Sequence, residues 1–166
     1  VQSRDVVHIH VSYLPTPPHL GEPKTKPTQL SVKTLNSMGI QPDFIVARAI
    51  KRMDDRRRER FSLFCSVKSD HIIDSPDIPN VYELPLLFSE QKFDDKILEC
   101  LHLPNQPLKL NSWQKMVKQI KAPKEGEVTI AIVGKYFATG EYELRDSYAA
   151  LFDALDHAVI FHNLKL

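Results

Sequence analysis

Two lysines and two threonines precede a helical pattern early in the chain, and together they could hold phosphate groups. They lie in the run Lys24, Thr25, Lys26, Pro27, Thr28, Gln29, with Pro27 near the first position of the predicted helix. Free N–H groups at a helix N-terminus attract anions, and the helix dipole adds to this attraction. The lysines would supply charge and the threonines hydroxyl donors. A solvated loop leading into a capped helix is the alternative, and the pattern alone favours it.

A second group of cations lies further along the chain: Lys51, Arg52, Arg56, Arg57, Arg58 and Arg60. On a helix, Arg56 and Arg60 lie one turn apart on one face, and the two arginines between them point elsewhere. One ligand therefore cannot engage them all, and most are expected to be solvated and paired with neighbouring acids. Nucleic-acid binding would need interleaved aromatic or groove-reading residues, which this stretch lacks.

Histidines and cysteines give no metal-binding pattern. His8 and His10 share one face of a predicted strand, but metal ligation would need ligands from elsewhere, so a plain sheet-surface position is favoured. Cys65 and Cys100 lie in apolar surroundings and match no metal spacing. We interpret them as buried free thiols rather than as a disulfide or a catalytic group, which is typical of a cytoplasmic protein.

The motifs of phosphoryl transfer and of covalent acyl chemistry do not occur in these 166 residues. The five glycines form no GxxxxGK[ST], GxGxxG or GxSxG pattern. A net charge of +1 gives no overall field for nucleic acid or a membrane surface, and no apolar run is long enough to span a bilayer. We therefore expect neither catalytic nor metal-binding residues within this chain.

Strands alternate with helices along the first 121 residues, which predicts an α/β architecture. Hydrophobic spacing predicts three strands, at 6–13, 43–47 and 71–74. Helices are predicted at 28–38, 54–64, 81–90, 94–102 and 111–120, the last with Ser112 as its cap. The candidate phosphate site therefore lies between the first strand and the first helix.

A second strand–helix unit follows a polar stretch at 122–127, which has the composition of a linker. Val128–Val133 is predicted to be a strongly apolar strand and Tyr142–His157 a helix with one apolar stripe. The last five residues are compatible with the start of a further strand. We interpret 1–121 as one domain and 128–166 as the truncated start of another.

Taken in order, these segments resemble the CTP synthase family. GEPKTKPTQLSVKTL at 21–35 is similar to that family's GEVKTKPTQ segment, and GIQPDFIVARA at 39–49 to its GIQPD strand, with Arg48 at a family arginine. RFSLFCSV at 60–67 resembles its KIALFC segment. The stretches at 126–136 and 146–158 resemble the beginning of its glutaminase domain. The similarity runs from about Val6 to His157.

The resemblance implies a P-loop-type, dethiobiotin-synthetase-like Rossmannoid sheet, followed by the first strand–helix unit of a class I glutamine amidotransferase domain. Enzymes of this family use ATP to phosphorylate the uracil 4-oxygen of UTP, and ammonia from glutamine then displaces the phosphate to give CTP. The family also implies Mg²⁺, activation by GTP, feedback inhibition by CTP, and a homotetramer with the pyrimidine nucleotide bound between subunits. A non-catalytic nucleotide-binding or regulatory module derived from the enzyme is the alternative.

The same resemblance assigns contacts with UTP and CTP to Lys24, Thr25, Lys26, Pro27, Thr28, Gln29 and Arg60, and contacts with ATP to Pro76, Asp77 and Ile78. Two of these residues replace a lysine of the family. Arg60 keeps the charge but brings a planar fork, and Pro76 has no N–H to donate. The family's phosphate loop and magnesium ligands are expected upstream and its glutaminase residues downstream, so these residues alone are expected to be inactive.

Overall fold

The computed structural model describes residues 5–19, 21–135, 137 and 145–166, and the chain divides into two compact units between Leu108 and Lys109. The predicted linker at 122–127 therefore lies inside the second unit. The assignment of a separate domain beyond it stays a prediction. No helix in the described ranges combines the length and the apolar character needed to cross a bilayer.

A three-stranded parallel sheet forms the centre of the first unit, with strand order β1-β2-β3. Its strands are β1 (Ile9–Tyr13), β2 (Phe44–Ala49) and β3 (Ile72–Pro76). Its helices are α1 (Lys26–Ser37), α2 (Asp55–Cys65), α3 (Leu84–Glu90) and α4 (Phe93–Cys100). The predicted α/β architecture is confirmed, and each predicted strand and helix of this unit is present with shifted ends.

Helices cover both faces of the sheet because β2 is apolar on both sides. Ile45 and Ala47 belong to a core that includes Val32 of α1 and Phe61 of α2. The alternate residues, led by Phe44, form a second core with the helices that follow β3, where the Phe44 and Phe93 rings meet edge to face at 5.3 Å. Burial on both faces is typical of parallel strands. The chain segments that leave the strands are thereby held in fixed positions.

The second unit contains α5 (Asn111–Lys121), β4 (Gly126–Glu127), α6 (Ala149–Phe161) and β5 (Leu164–Lys165), with β4 and β5 parallel. The predicted apolar strand Val128–Val133 is wrong, because regular pairing ends at Glu127. The N–H of Val128 still donates to the carbonyl of Lys165 at 2.9 Å, and no described strand lies alongside the residues that follow. Without such a partner, an apolar sequence cannot form a strand.

Helix ends in the second unit also differ from the prediction. Helix α5 begins at Asn111 with Leu110 at the cap position and no side-chain cap, so the role predicted for Ser112 is wrong. Helix α6 begins and ends later than predicted and follows a 3₁₀ turn at Arg145–Tyr148. The part of the predicted helix at 142–144 lies outside the described residues. The strand start predicted at the last residues is confirmed by β5.

Cys65, the last residue of α2, is buried in the core that α2 shares with α1, and this burial raises the pKa of its thiol to about 11. We expect iodoacetamide at pH 8 to leave Cys65 unmodified in the folded protein, because only about one thiol in a thousand is then ionised. The folded pKa lies above the ordinary value near 9. The stability contributed by the neutral thiol is therefore complete below that pH and is lost as the pH rises towards 11. Mass spectrometry of a Cys100→Ala variant isolates this thiol, and rapid modification before unfolding would contradict the expectation.

Candidate functional site

The segment between β1 and α1 is folded back on itself and delivers Lys24 to the start of α1. The N–H of Leu14 donates to the backbone carbonyl of Arg48 on β2 at 2.7 Å, which anchors the beginning of the segment. The N–H of Lys24 donates to the carbonyl of Pro15 at 2.9 Å and closes the loop. Gly21 has φ of +64°, a conformation that a residue with a Cβ adopts only with strain. The two hydrogen bonds therefore fix both ends of the segment.

A cavity of about 720 Å³ opens between this loop and helix α2. It brings together four cationic side chains, Lys24 from the loop, Lys26 from the start of α1, and Arg57 and Arg60 from α2. The remaining lining residues are Glu22, Pro23, Thr25, Gln29 and Phe64. Of the residues assigned by resemblance to UTP and CTP, the cavity thus brings together Lys24, Thr25, Lys26, Gln29 and Arg60. Such a concentration of positive charge beside a helix N-terminus suits a ligand with several phosphates.

Pro27 and Thr28 do not line this cavity. The side chain of Thr28 is fully buried and turned towards the sheet, where its Oγ1 lies 2.7 Å from Oγ of Ser12. Thr25 occupies the cap position of α1, and its Oγ1 accepts a hydrogen bond from Nε2 of Gln29 at 3.2 Å. Pro27 and Thr28 therefore lie outside the cavity lining, and the nucleotide contacts assigned to them stay predictions.

Arg57 is a cavity residue that the sequence prediction missed. The prediction paired Arg56 with Arg60 on one helix face, whereas the structure turns Arg57 and Arg60 towards the cavity. Asp54 caps α2 by accepting from the N–H of Arg57 at 2.8 Å, and it also pairs with the Arg57 guanidinium. Residues three apart also share a helix face. The spacing of Arg57, Arg60 and Phe64 along the helix could therefore have predicted that these three residues share the face that lines the cavity.

The charges of the cavity are only partly compensated by the protein itself. Glu22 binds Lys24 at 2.6 Å and Arg57 at 3.0 Å. These contacts lower the pKa of the Glu22 carboxyl below its usual range, and the hydrogen bond from Lys24 makes the largest contribution. Within the described ranges, no carboxylate lies at salt-bridge distance from Lys26 or Arg60. The cavity therefore keeps a positive surplus that an anionic ligand could neutralise.

A second cavity, of about 710 Å³, contains the three residues assigned by resemblance to ATP. Pro76 is the last residue of β3, Asp77 and Ile78 follow it, and the N–H of Asp77 donates to the carbonyl of Ala49 at 2.8 Å. The other walls are mostly apolar, including Ile9, Val11, Val81, Leu84, Phe88 and Phe93. Arg48 supplies a cation at one side. Apolar walls with few polar groups suit a flat heterocycle rather than a phosphate chain.

No group of three or more histidine, cysteine or acidic side chains in the described ranges could hold a metal ion. The most buried carboxylate of the first unit, on Asp74, is engaged by the guanidinium of Arg58 and by the N–H of Met53. It is therefore not available as a magnesium ligand. The described residues therefore offer no such cluster for the magnesium that the family resemblance implies.

Comparison with known proteins gives one consistent family. Residues 1–103 match the family model described as the CTP synthase N-terminus. The chain is 40% identical over 161 residues to a CTP synthase of Rhizobium etli (strain CIAT 652), covering 96% of this chain and 29% of that protein. It is 42% identical over 159 residues to a CTP synthase of Rhodospirillum centenum (strain ATCC 51521 / SW), covering 95% and 28%. The chain thus spans less than a third of the length of these curated relatives.

Proposed function

Because the chain belongs to the CTP synthase family, we propose that the cavity between the loop and α2 binds the triphosphate of UTP, and that of CTP as inhibitor. The observation that carries this proposal is the convergence of Lys24 and Lys26, at the junction of the loop with α1, with Arg57 and Arg60 of α2, which are distant from them in sequence. Charge-assisted hydrogen bonds to phosphate are about twice as strong as neutral ones. Four such donors around one cavity would hold a polyphosphate firmly.

The second cavity is proposed to bind the adenosine of ATP. Its apolar wall would pack against the adenine ring, and Arg48 would lie over or beside that ring. Both candidate sites follow the carboxyl ends of parallel strands, β1 for the first and β3 for the second, where ligands of α/β sheets usually bind. The two nucleotides would then approach each other across one edge of the sheet.

The reaction proposed for the whole protein is the amination of UTP to CTP. ATP transfers a phosphoryl group to the uracil 4-oxygen, and ammonia released from glutamine displaces that phosphate. The described residues of this chain would bind and orient the two nucleotides, and none of them is proposed to act on the reacting atoms. Magnesium would be held outside the described residues, and GTP would act as an activator.

The proposal extends to the remaining parts of the family pattern. Residues 128–166 would begin the glutamine amidotransferase domain, and the protein would be a cytoplasmic homotetramer with the nucleotide held between subunits. Phe64 lines the cavity and is 64% exposed, and Leu30 and Leu63, which adjoin cavity residues in sequence, are 65% and 75% exposed. Exposed apolar side chains of this size favour contact with another protein surface and support such an interface.

Protection from an amine-reactive reagent tests the triphosphate site. We expect UTP or CTP to protect Lys24 and Lys26 in the protein as it is naturally produced, because bound phosphates would cover both ammonium groups. Lys115 on α5 is exposed and lies outside the cavity, so it is the internal control. Equal modification of all three lysines with and without nucleotide would contradict the assignment. Protection without formation of CTP from UTP, ATP and glutamine would instead indicate a non-catalytic nucleotide-binding module.

A further inference from the structure

Glu22 stands out among the residues of the cationic cavity because it is the one acid among the described lining residues. Its two carboxylate oxygens bind different cations. Oε1 accepts from Nζ of Lys24 at 2.6 Å, and Oε2 accepts from the guanidinium of Arg57 at 3.0 Å. Lys24 belongs to the loop and Arg57 to helix α2. One carboxylate thus bridges the two sides of the cavity.

We infer that Glu22 is an internal competitor for the phosphates of the ligand, holding Lys24 and Arg57 until a more highly charged polyphosphate displaces it. This inference rests on the proposed function and deepens it, because it identifies a residue that sets affinity and selectivity at the same site. The carboxylate carries one negative charge, whereas the phosphate chain of UTP or CTP carries several. Only the polyphosphate could also reach Lys26 and Arg60.

Little free energy is needed to displace the Glu22 carboxylate from Lys24 and Arg57. About half of the Glu22 side chain is exposed, at 52%, and exposed ion pairs are held weakly because water screens them. The contacts with Lys24 and Arg57 keep the pKa of Glu22 low, so the carboxylate is ionised throughout the neutral range. Glu22 itself therefore adds no pH dependence to the competition near neutrality. The competition depends on ionic strength and on the charge of the incoming ligand.

The opposite role for Glu22 is that of a positioning residue. A carboxylate that bridges Lys24 and Arg57 could hold both cations in the arrangement that the ligand needs. Removal of its charge would then weaken binding rather than strengthen it. The two roles therefore predict changes of opposite sign, and a charge-removing substitution of similar shape distinguishes them.

Calorimetric titration of the whole protein with UTP, UMP and inorganic tripolyphosphate provides the test, with wild type compared with Glu22→Gln. We expect the variant to bind UTP and tripolyphosphate about three- to tenfold more tightly, which corresponds to the loss of two exposed ion pairs. UMP should gain less because it carries fewer charges. The gain should shrink at high salt, where exposed charges are screened.

The matched control is Glu59→Gln, which removes the same charge from an exposed position on α2 outside the cavity. An equal gain in both variants would trace the effect to net charge and overturn the inference. Unchanged or weaker UTP binding by Glu22→Gln would also overturn it and would leave the proposed function standing, provided that the wild type binds UTP. Failure of the wild type to bind either UTP or tripolyphosphate would overturn the inference and the proposed function together.

Discussion

Substitution of Lys26 by alanine is expected to raise the dissociation constant for UTP by about ten- to a hundredfold, the value of one charged hydrogen bond to phosphate. Lys26 is the first residue of α1 and lines the cavity, at a helix end whose first N–H groups attract anions. No described carboxylate neutralises it. Its charge is therefore available to the ligand, and titration calorimetry on the whole protein measures the loss.

A second lysine of the same helix provides the control for Lys26→Ala. Lys33 is exposed and lies outside the cavity, so Lys33→Ala removes the same charge from α1 without touching the proposed site. We expect it to change UTP affinity by less than about twofold, because exposed charges at a distance are screened. Equal losses in the two variants would mean that the protein responds to net charge, and the proposed triphosphate site would then be wrong.

The order of strands and helices in the first unit could be predicted because each element carries a clear hydrophobic period. Helix α1 shows apolar residues at helical spacing, with Pro27 in its first turn and Gly39 after its end, where φ is +82°. Strand β2 is apolar and buried over residues 44–47, which is typical of a strand covered on both faces. These signals are local, so they can be interpreted without knowledge of the rest of the fold.

The orientation of the arginines on α2 could not be predicted, because it depends on contacts between elements that are distant in sequence. The loop brings Glu22 and the carbonyl of Pro23 to one side of the helix, where they bind Arg57. Strand β3 brings Asp74 to another side, where it binds Arg58. A helical period places four arginines around a cylinder but does not tell which side meets which neighbour.

The apolar run after residue 127 failed as a prediction for a related reason. A run of apolar, β-branched residues favours a strand, but a strand forms only where its N–H and C=O groups find partners. β5 offers such partners to two residues of β4 and to the N–H of Val128. Similarly, the burial of Thr28 depends on Ser12 of β1, sixteen positions away. Both outcomes were set by tertiary structure rather than by local pattern.

Removal of the Asp74 carboxylate is expected to lower the free energy of unfolding by about 3 kcal/mol, the lower end for breaking a buried ion pair. Asp74 is 5% exposed, its Oδ1 accepts from the N–H of Met53 at 3.0 Å, and Oδ2 pairs with Arg58. Arg58 keeps 22% of its side chain exposed, so water relieves part of the loss. Urea denaturation of Asp74→Ala in the whole protein, followed by circular dichroism, measures the change.

Two further variants separate the charge of Asp74 from its hydrogen bonding. Asp74→Asn keeps an acceptor for the N–H of Met53 and should lose about half as much stability, because a neutral hydrogen bond replaces the ion pair. Glu90→Gln breaks the exposed pair with Arg52, whose atoms are 2.7 Å apart, and should cost less than about 1 kcal/mol. Equal losses for Asp74→Ala and Glu90→Gln would contradict a structural role for the buried pair.

The same buried pair should also affect the proposed triphosphate site. Asp74 joins β3 to the N-terminal turn of α2, through Met53 and Arg58, and this turn also carries Arg57. Loosening this helix turn should therefore weaken UTP binding by the Asp74→Ala variant even where the protein remains folded. Asp74→Asn should restore part of that affinity, because the bond to Met53 still fixes the start of the helix. Full UTP affinity in a folded Asp74→Ala protein would show that the cavity keeps its shape without this link.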